Sequence, residues 1–127
     1  MRVQRVVPLL TVDDLPRVVH AYRALTGLEV VMDHGWIVTL ADSDGAHQLS
    51  LMTADATAPV EPTVSIFVDD VHEALSNVEA AGMEIVHPLT DEPWGVTRFF
   101  VQDDAGNVLN VGMHTDALEV RLRDPER

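Results

Sequence analysis

Apolar and polar positions along this chain change period in a fixed order. Val6-Val7-Pro8-Leu9-Leu10-Thr11-Val12 is apolar and β-branched and reads as a strand. Pro8 has no N–H to give a neighbouring strand, which predicts an edge or a seam. After Asp13-Asp14 the period becomes helical, with Leu15, Val18, Val19, Tyr22 and Leu25 on one stripe. Asp14 suits an N-cap, Pro16 suits the first turn, and Gly27 can close the helix. Strand patterns return at residues 28–32, 36–40 and 47–52, separated by Asp33-His34-Gly35 and Asp42-Ser43-Asp44-Gly45. Residues 53–62 are rich in Ala, Thr and Pro and read as a linker.

The pattern then starts again. Thr63-Val64-Ser65-Ile66-Phe67-Val68 is a strand followed by Asp69-Asp70. Asp70 caps a helix, and Glu73 stands where a capping box would have it bond back. Val71, Ala74, Leu75 and Val78 form its stripe, and Gly82 ends it. Met83-Glu84-Ile85-Val86 echoes Leu28-Glu29-Val30-Val31, with Glu29 and Glu84 on the solvent face. Phe99 to Gln102 and Val108 to Val111 form a hairpin around Asp103-Asp104-Ala105-Gly106-Asn107. Val12-Asp13-Asp14 matches Val68-Asp69-Asp70, Gly27 matches Gly82, and Leu49-Ser50-Leu51 matches Leu109-Asn110-Val111. The expected fold is α+β, with two tandem βαβββ units in one domain. Unit one covers about 5–52, unit two about 63–113, and 114–127 follow as a tail or short helix. One helix covers one sheet face, so the other face needs a second unit, and two curved sheets meeting this way enclose a cleft.

These residues resemble the vicinal oxygen chelate superfamily of glyoxalases, extradiol dioxygenases and bleomycin and fosfomycin resistance proteins. The resemblance rests on Val12-Asp13-Asp14-Leu15 with Tyr22 and Gly27-Leu28, and on Val68-Asp69-Asp70 with Gly82. It continues through Pro93-Trp94-Gly95 and Phe99-Phe100-Val101-Gln102-Asp103-Asp104-Ala105-Gly106-Asn107. Asp104-Ala105 departs from the Pro-Asp usual at that turn. The resemblance implies metal ligands on the first and fourth strands of each unit, at Val7, Ser50, Thr63 and Asn110 here. The family uses His, Gln or Glu there. Val, Ser, Thr and Asn do not make the imidazole and carboxylate set that a divalent transition metal wants. A bulge on the fourth strand would bring Gln48 or His47 closer, but one His is not a metal centre. The expectation is the family's cleft without its metal and without a cofactor.

Charge and composition narrow the chemistry. The chain has 127 residues, no cysteine and a formal charge of −13. All its basic residues are Arg, so thiol nucleophiles, thiolate metal sites and lysine Schiff bases are excluded. The acidity argues against nucleic acid and would draw a cation weakly from a distance. No apolar run is long enough to span a membrane, and Met1-Arg2-Val3-Gln4-Arg5 leads straight into strand sequence, not a signal peptide. A cytoplasmic protein is expected. Gly-rich phosphate loops and a nucleophile elbow are missing.

Strand alternation puts Arg98, Phe100 and Gln102 on one face and Phe99 and Val101 on the other. Arg98 has two readings: a fork for a ligand carboxylate or phosphate, or an internal salt bridge or rim cation. Trp36 and Trp94 border the cleft mouth, where indoles stack on planar or cationic ligands, or else serve in ordinary packing or a dimer contact. Phe67 and Phe100 are candidates for an apolar floor, and Ser50, Thr63 and Asn110 for polar contacts. His20, His34, His47, His72, His87 and His114 form no spaced motif. His47 and His114 flank the two fourth strands and would supply the acid–base group of a metal-free isomerase or lyase. The leading expectation is a binding protein that sequesters a small aromatic or cationic molecule, as antibiotic-resistance binders of this type do. A metal-free isomerase or lyase and a metal-dependent family enzyme are the alternatives. A homodimer is expected, because the Pro8 strand and the flexible linker permit units to pair across chains.

Overall fold

The computed structural model describes residues 1–115. The elements are β1 (Val3–Thr11), α1 (Leu15–Thr26), β2 (Glu29–Asp33), β3 (Ile37–Ala41) and β4 (Gln48–Met52), then β5 (Val64–Val68), α2 (Val71–Ala81), β6 (Glu84–Glu92), β7 (Val96–Gln102) and β8 (Val108–His114). The βαβββ order occurs twice. The strands make one curved, unclosed sheet in the order β2-β3-β4-β1-β5-β8-β7-β6. Within each unit the first strand runs parallel to the fourth, Leu9 beside Ser50 and Ser65 beside Asn110. The units join inside the chain, edge to edge, where β1 and β5 pair antiparallel with Val7 opposite Ser65 and Pro8 opposite Val64. Pro8 therefore lies at the seam.

Each helix covers its own unit. Leu15 of α1 packs with Val38, Leu40 and Leu51. Val71 and Ala74 of α2 pack with Val68, Phe99, Val101 and Val111. Fully burying side chains of this size contributes roughly 1.5–3 kcal/mol each. Alternation leaves Thr39 and Ser50 on the face away from α1, and Arg98, Phe100 and Asn110 on the face away from α2.

The helix caps match their sequence signals closely. Asp14 accepts from Arg17 N, and Asp70 accepts from His72 N and Glu73 N. Gly27 (φ 74°) and Gly82 (φ 72°) close the helices in the left-handed conformation. Glu73 does not complete the expected capping box, because its carboxylate pairs with the Met1 ammonium at 2.9 Å. Leu25, at the edge of the helical stripe, is 78% exposed and does not join the α1 core. β6 extends six residues beyond the short strand ending at Val86, through Pro88 to Glu92, with register shifts around His87. His114 ends β8 instead of opening the tail expected over 114–127, of which 116–127 lie outside the described residues.

Candidate functional site

The concave face of the sheet holds a cleft with about 570 Å³ of empty space, its open mouth included. Both units line it. Its floor is a row of polar side chains from the central strands. Thr39 Oγ1 and Ser50 Oγ are 2.8 Å apart, and Asn110 Nδ2 donates to Ser65 Oγ at 3.0 Å. Asn110 Oδ1 is buried and accepts no hydrogen bond from the described residues.

One end of the cleft is built around Arg98. β7 carries it inward beside Trp94 and Phe100, with its guanidinium carbon 4.9 and 4.8 Å from their ring centres. Nη2 donates to Asp55 Oδ2 at 2.8 Å, Glu92 Oε2 at 2.7 Å and Thr57 Oγ1 at 3.2 Å. The three charged side chains are 4–5% exposed, so this is a buried ion triad. Burial pushes the Asp55 carboxyl up, but hydrogen bonds from Thr57 and Arg98 outweigh it and leave Asp55 below the usual carboxylate range. His87 stands behind Phe100, with ring centres 4.9 Å apart. Burial, then the Arg98 charge, holds its imidazole below the ordinary histidine range.

The other end is built around Arg5, which lies over the Phe67 ring at 4.1 Å. Its guanidinium contacts Gln48 Oε1 and His114 Nε2, and His114 stacks on Phe67 with ring centres 4.2 Å apart. At the mouth, Trp36 from the β2–β3 turn meets Trp94 from the β6–β7 turn edge to face, 5.0 Å between centres.

Trp36, Ser50, Phe67, Trp94, Arg98 and Asn110 all line the cleft, as does His114. Two expected site residues do not. Thr63 precedes β5 and is exposed, and the β5 side chains that reach the cleft are Ser65 and Phe67. Phe100 has the expected face but is fully buried beneath Arg98 and does not line the cleft. His47 is also away from it. Its Nδ1 is 2.6 Å from Asp42 Oδ2 at the surface, and that hydrogen bond raises its pKa. Of the two readings of Arg98, the internal salt bridge is the one present, and the side chain also lines the cleft.

Reasoning from sequence missed Arg5, Asp55, Glu92 and His87. Arg5 shares the parity of Val7 and Leu9, so alternation from Leu9 would have found it. Asp55 lay inside the Ala/Thr/Pro linker, where nothing in the pattern distinguishes it. Glu92 and His87 depend on the extension of β6.

The family's metal positions do not fit a metal ion here. Val7 offers no donor atom, Thr63 is outside the cleft, Ser50 Oγ lies against Thr39 Oγ1, and Asn110 offers only one neutral amide oxygen. Among the described residues, His, Cys, Asp and Glu form no group of three or more arranged to hold a metal ion. Among them, too, no helix is long and apolar enough to cross a membrane.

A family model described as Glyoxalase/Bleomycin resistance protein/Dioxygenase superfamily matches residues 2–111. Solved structures share the fold at low identity. A glyoxalase/bleomycin resistance protein/dioxygenase superfamily member from Vibrio splendidus 12B01 is 21% identical, with TM-score 0.65, covering 88% of this chain and 99% of its own. Methylmalonyl-CoA epimerase from Mycobacterium tuberculosis is 17% identical, with TM-score 0.68, covering 93% and 91%. A chain described as NAD-dependent benzaldehyde dehydrogenase from Legionella pneumophila is 16% identical, with TM-score 0.71, covering 87% and 99%. No curated protein matches the sequence significantly.

Proposed function

We propose that this chain, which belongs to the glyoxalase/bleomycin resistance protein/dioxygenase superfamily, binds a small, partly aromatic organic molecule in its cleft without a metal ion. The observation that carries this reading is a cleft walled by Trp36, Trp94 and Phe67 whose first- and fourth-strand family positions hold Val7, Ser50, Thr63 and Asn110. Aromatic walls bind planar ligands by burial and stacking, and the hydroxyl and amide row fixes orientation. Arg5 and Arg98 both face the cleft, which favours the aromatic version of the ligand over the cationic one. Binding should quench or shift tryptophan emission, since both indoles stand at the mouth. It should survive treatment with EDTA unchanged, and protein purified without chelator should carry well below one equivalent of any transition metal. Stoichiometric metal whose removal abolishes binding would sink the reading.

The position of His114 favours a second reading, a metal-free isomerase or lyase. Its imidazole reaches the cleft, so it is a candidate base for a proton next to a carbonyl. Incubation with small carbonyl compounds in deuterated water tests this. Label incorporated by the wild type and lost in His114→Phe supports catalysis, and no incorporation by the wild type leaves binding alone. We also propose a homodimer that buries Val6 and Leu10, exposed at the seam on the face opposite the cleft.

A further inference from the structure

The polar groups left unmatched in the cleft define the ligand more narrowly. Arg98 is 4% exposed, yet all its hydrogen bonds leave from Nη2. Its buried Nε has no acceptor among the described residues. Asn110 is 7% exposed and spends Nδ2 on Ser65, while Oδ1 has no donor among the described residues. Buried polar atoms are rarely left without partners, so each calls for a ligand atom. The two are neighbours. Arg98 pairs across β7–β8 with Gly112, and Asn110 is two residues back on β8, on the same face. Gly112 has no side chain to fill the face between them.

Two carboxylates outnumber the one charge of Arg98, and Arg5 at the other end brings the cleft as a whole to neutral. Arg98 holds two carboxylates, and Asp55 itself lines the cleft. A ligand anion at Arg98 would meet Asp55 and Glu92. A ligand cation would meet the guanidiniums of Arg98 and Arg5. A neutral group meets neither penalty.

Resting on the binding reading above, we propose that the ligand is a neutral, planar aromatic molecule carrying a carbonyl-type acceptor and an N–H or O–H donor. The acceptor takes Arg98 Nε–H, the donor bonds to Asn110 Oδ1, and the ring lies toward Trp36 and Trp94. An aromatic amide is the simplest member of this class.

Isothermal titration with four probes tests the idea: 2-naphthamide, 2-naphthoate, N-methylquinolinium and naphthalene. All four present two fused rings, and they differ in charge and hydrogen bonding. The amide should bind about tenfold more tightly than each of the others, the size of one or two well-placed hydrogen bonds to buried partners. In Asn110→Leu the advantage of the amide over naphthalene, both measured on that variant, should fall to about twofold. Tightest binding by naphthoate or N-methylquinolinium, or by naphthalene, overturns this assignment and leaves the binding function standing. If none of the four binds, both fall. The wild-type ranking decides the matter even if the variant fails to fold.

Discussion

Arg98 shows how far one residue can be read before its surroundings are known. Alternation along Arg98-Phe99-Phe100 gives its face, and that face is the one observed. Its partners were hidden, because Asp55 comes from a segment 43 positions away that has no pattern of its own. Removing one member of a buried ion cluster costs more than the cluster contributes, since the others stay buried and uncompensated. Arg98→Met should therefore lower unfolding free energy by about 3–5 kcal/mol in urea melts. Restoring much of that loss by adding Asp55→Asn and Glu92→Gln would show that stranded charge is the cause. His87 gives a second test. Its folded pKa lies below the 6.5 of an unperturbed histidine, with burial the larger cause and Arg98 the next. Below about pH 6.5 the unfolded chain gains a proton that the folded one refuses, so this residue takes stability away as pH falls toward its folded pKa. The depressed Asp55 carboxyl acts lower down, where its contribution holds above 3.8 and is lost as pH falls through its folded pKa. His87→Leu should flatten the stability profile below pH 6.5 relative to wild type. An unchanged slope would assign the titration to another group.

Elements were easier to read than contacts, because caps and periods are local. Asp14 with Pro16, Asp70, Gly27 and Gly82 all act where the sequence put them. The two caps are not equal. Asp70 Oδ1 accepts from two N–H groups at 3.1 Å, whereas Asp14 accepts from one at 3.3 Å. Asp70→Ala should cost about 1 kcal/mol, near the middle of the N-cap range, and Asp14→Ala less. In thermal melts that is a fall of roughly 4 °C or more for Asp70→Ala, given the usual unfolding entropy of a domain this size. Equal losses would mean that the cap geometry does not set the energy. β6 was less legible than the helices. A strand with Pro88 inside it reads as finished, but β6 is an edge strand, where a missing N–H costs no ladder bond, and it continues to Glu92. That extension carries Glu92 to Arg98 and seats His87 behind Phe100. One misplaced strand end therefore hid two residues at the Arg98 end of the cleft.

At the scale of the molecule, the repeat predicts two units and a cleft but not how they join. The same βαβββ pattern allows pairing within one chain or between two. Here β1 and β5 make the joint internally, so one chain carries a whole cleft. Exchange of units is thus not needed for a site, and a homodimer must rest on some other surface. The two helices leave one open. α1 packs on β3 and β4 and α2 on β6, β7 and β8, while β1 lies between them. On the face opposite Val7 and Leu9, Val6 is 59% exposed and Leu10 is 38% exposed, with Pro8 between them. Apolar side chains in a row on a central strand are what a second copy would cover. Sedimentation should give twice the 14.0 kDa chain mass, and Val6→Asp should shift it toward the monomer. Because the cleft opens on the other face, probe affinity should not change in that variant. A wild-type monomer at micromolar concentration would remove the dimer and leave the cleft untouched. A Val6→Asp monomer that loses its ligand would show instead that the seam, not the mouth, holds the site in shape.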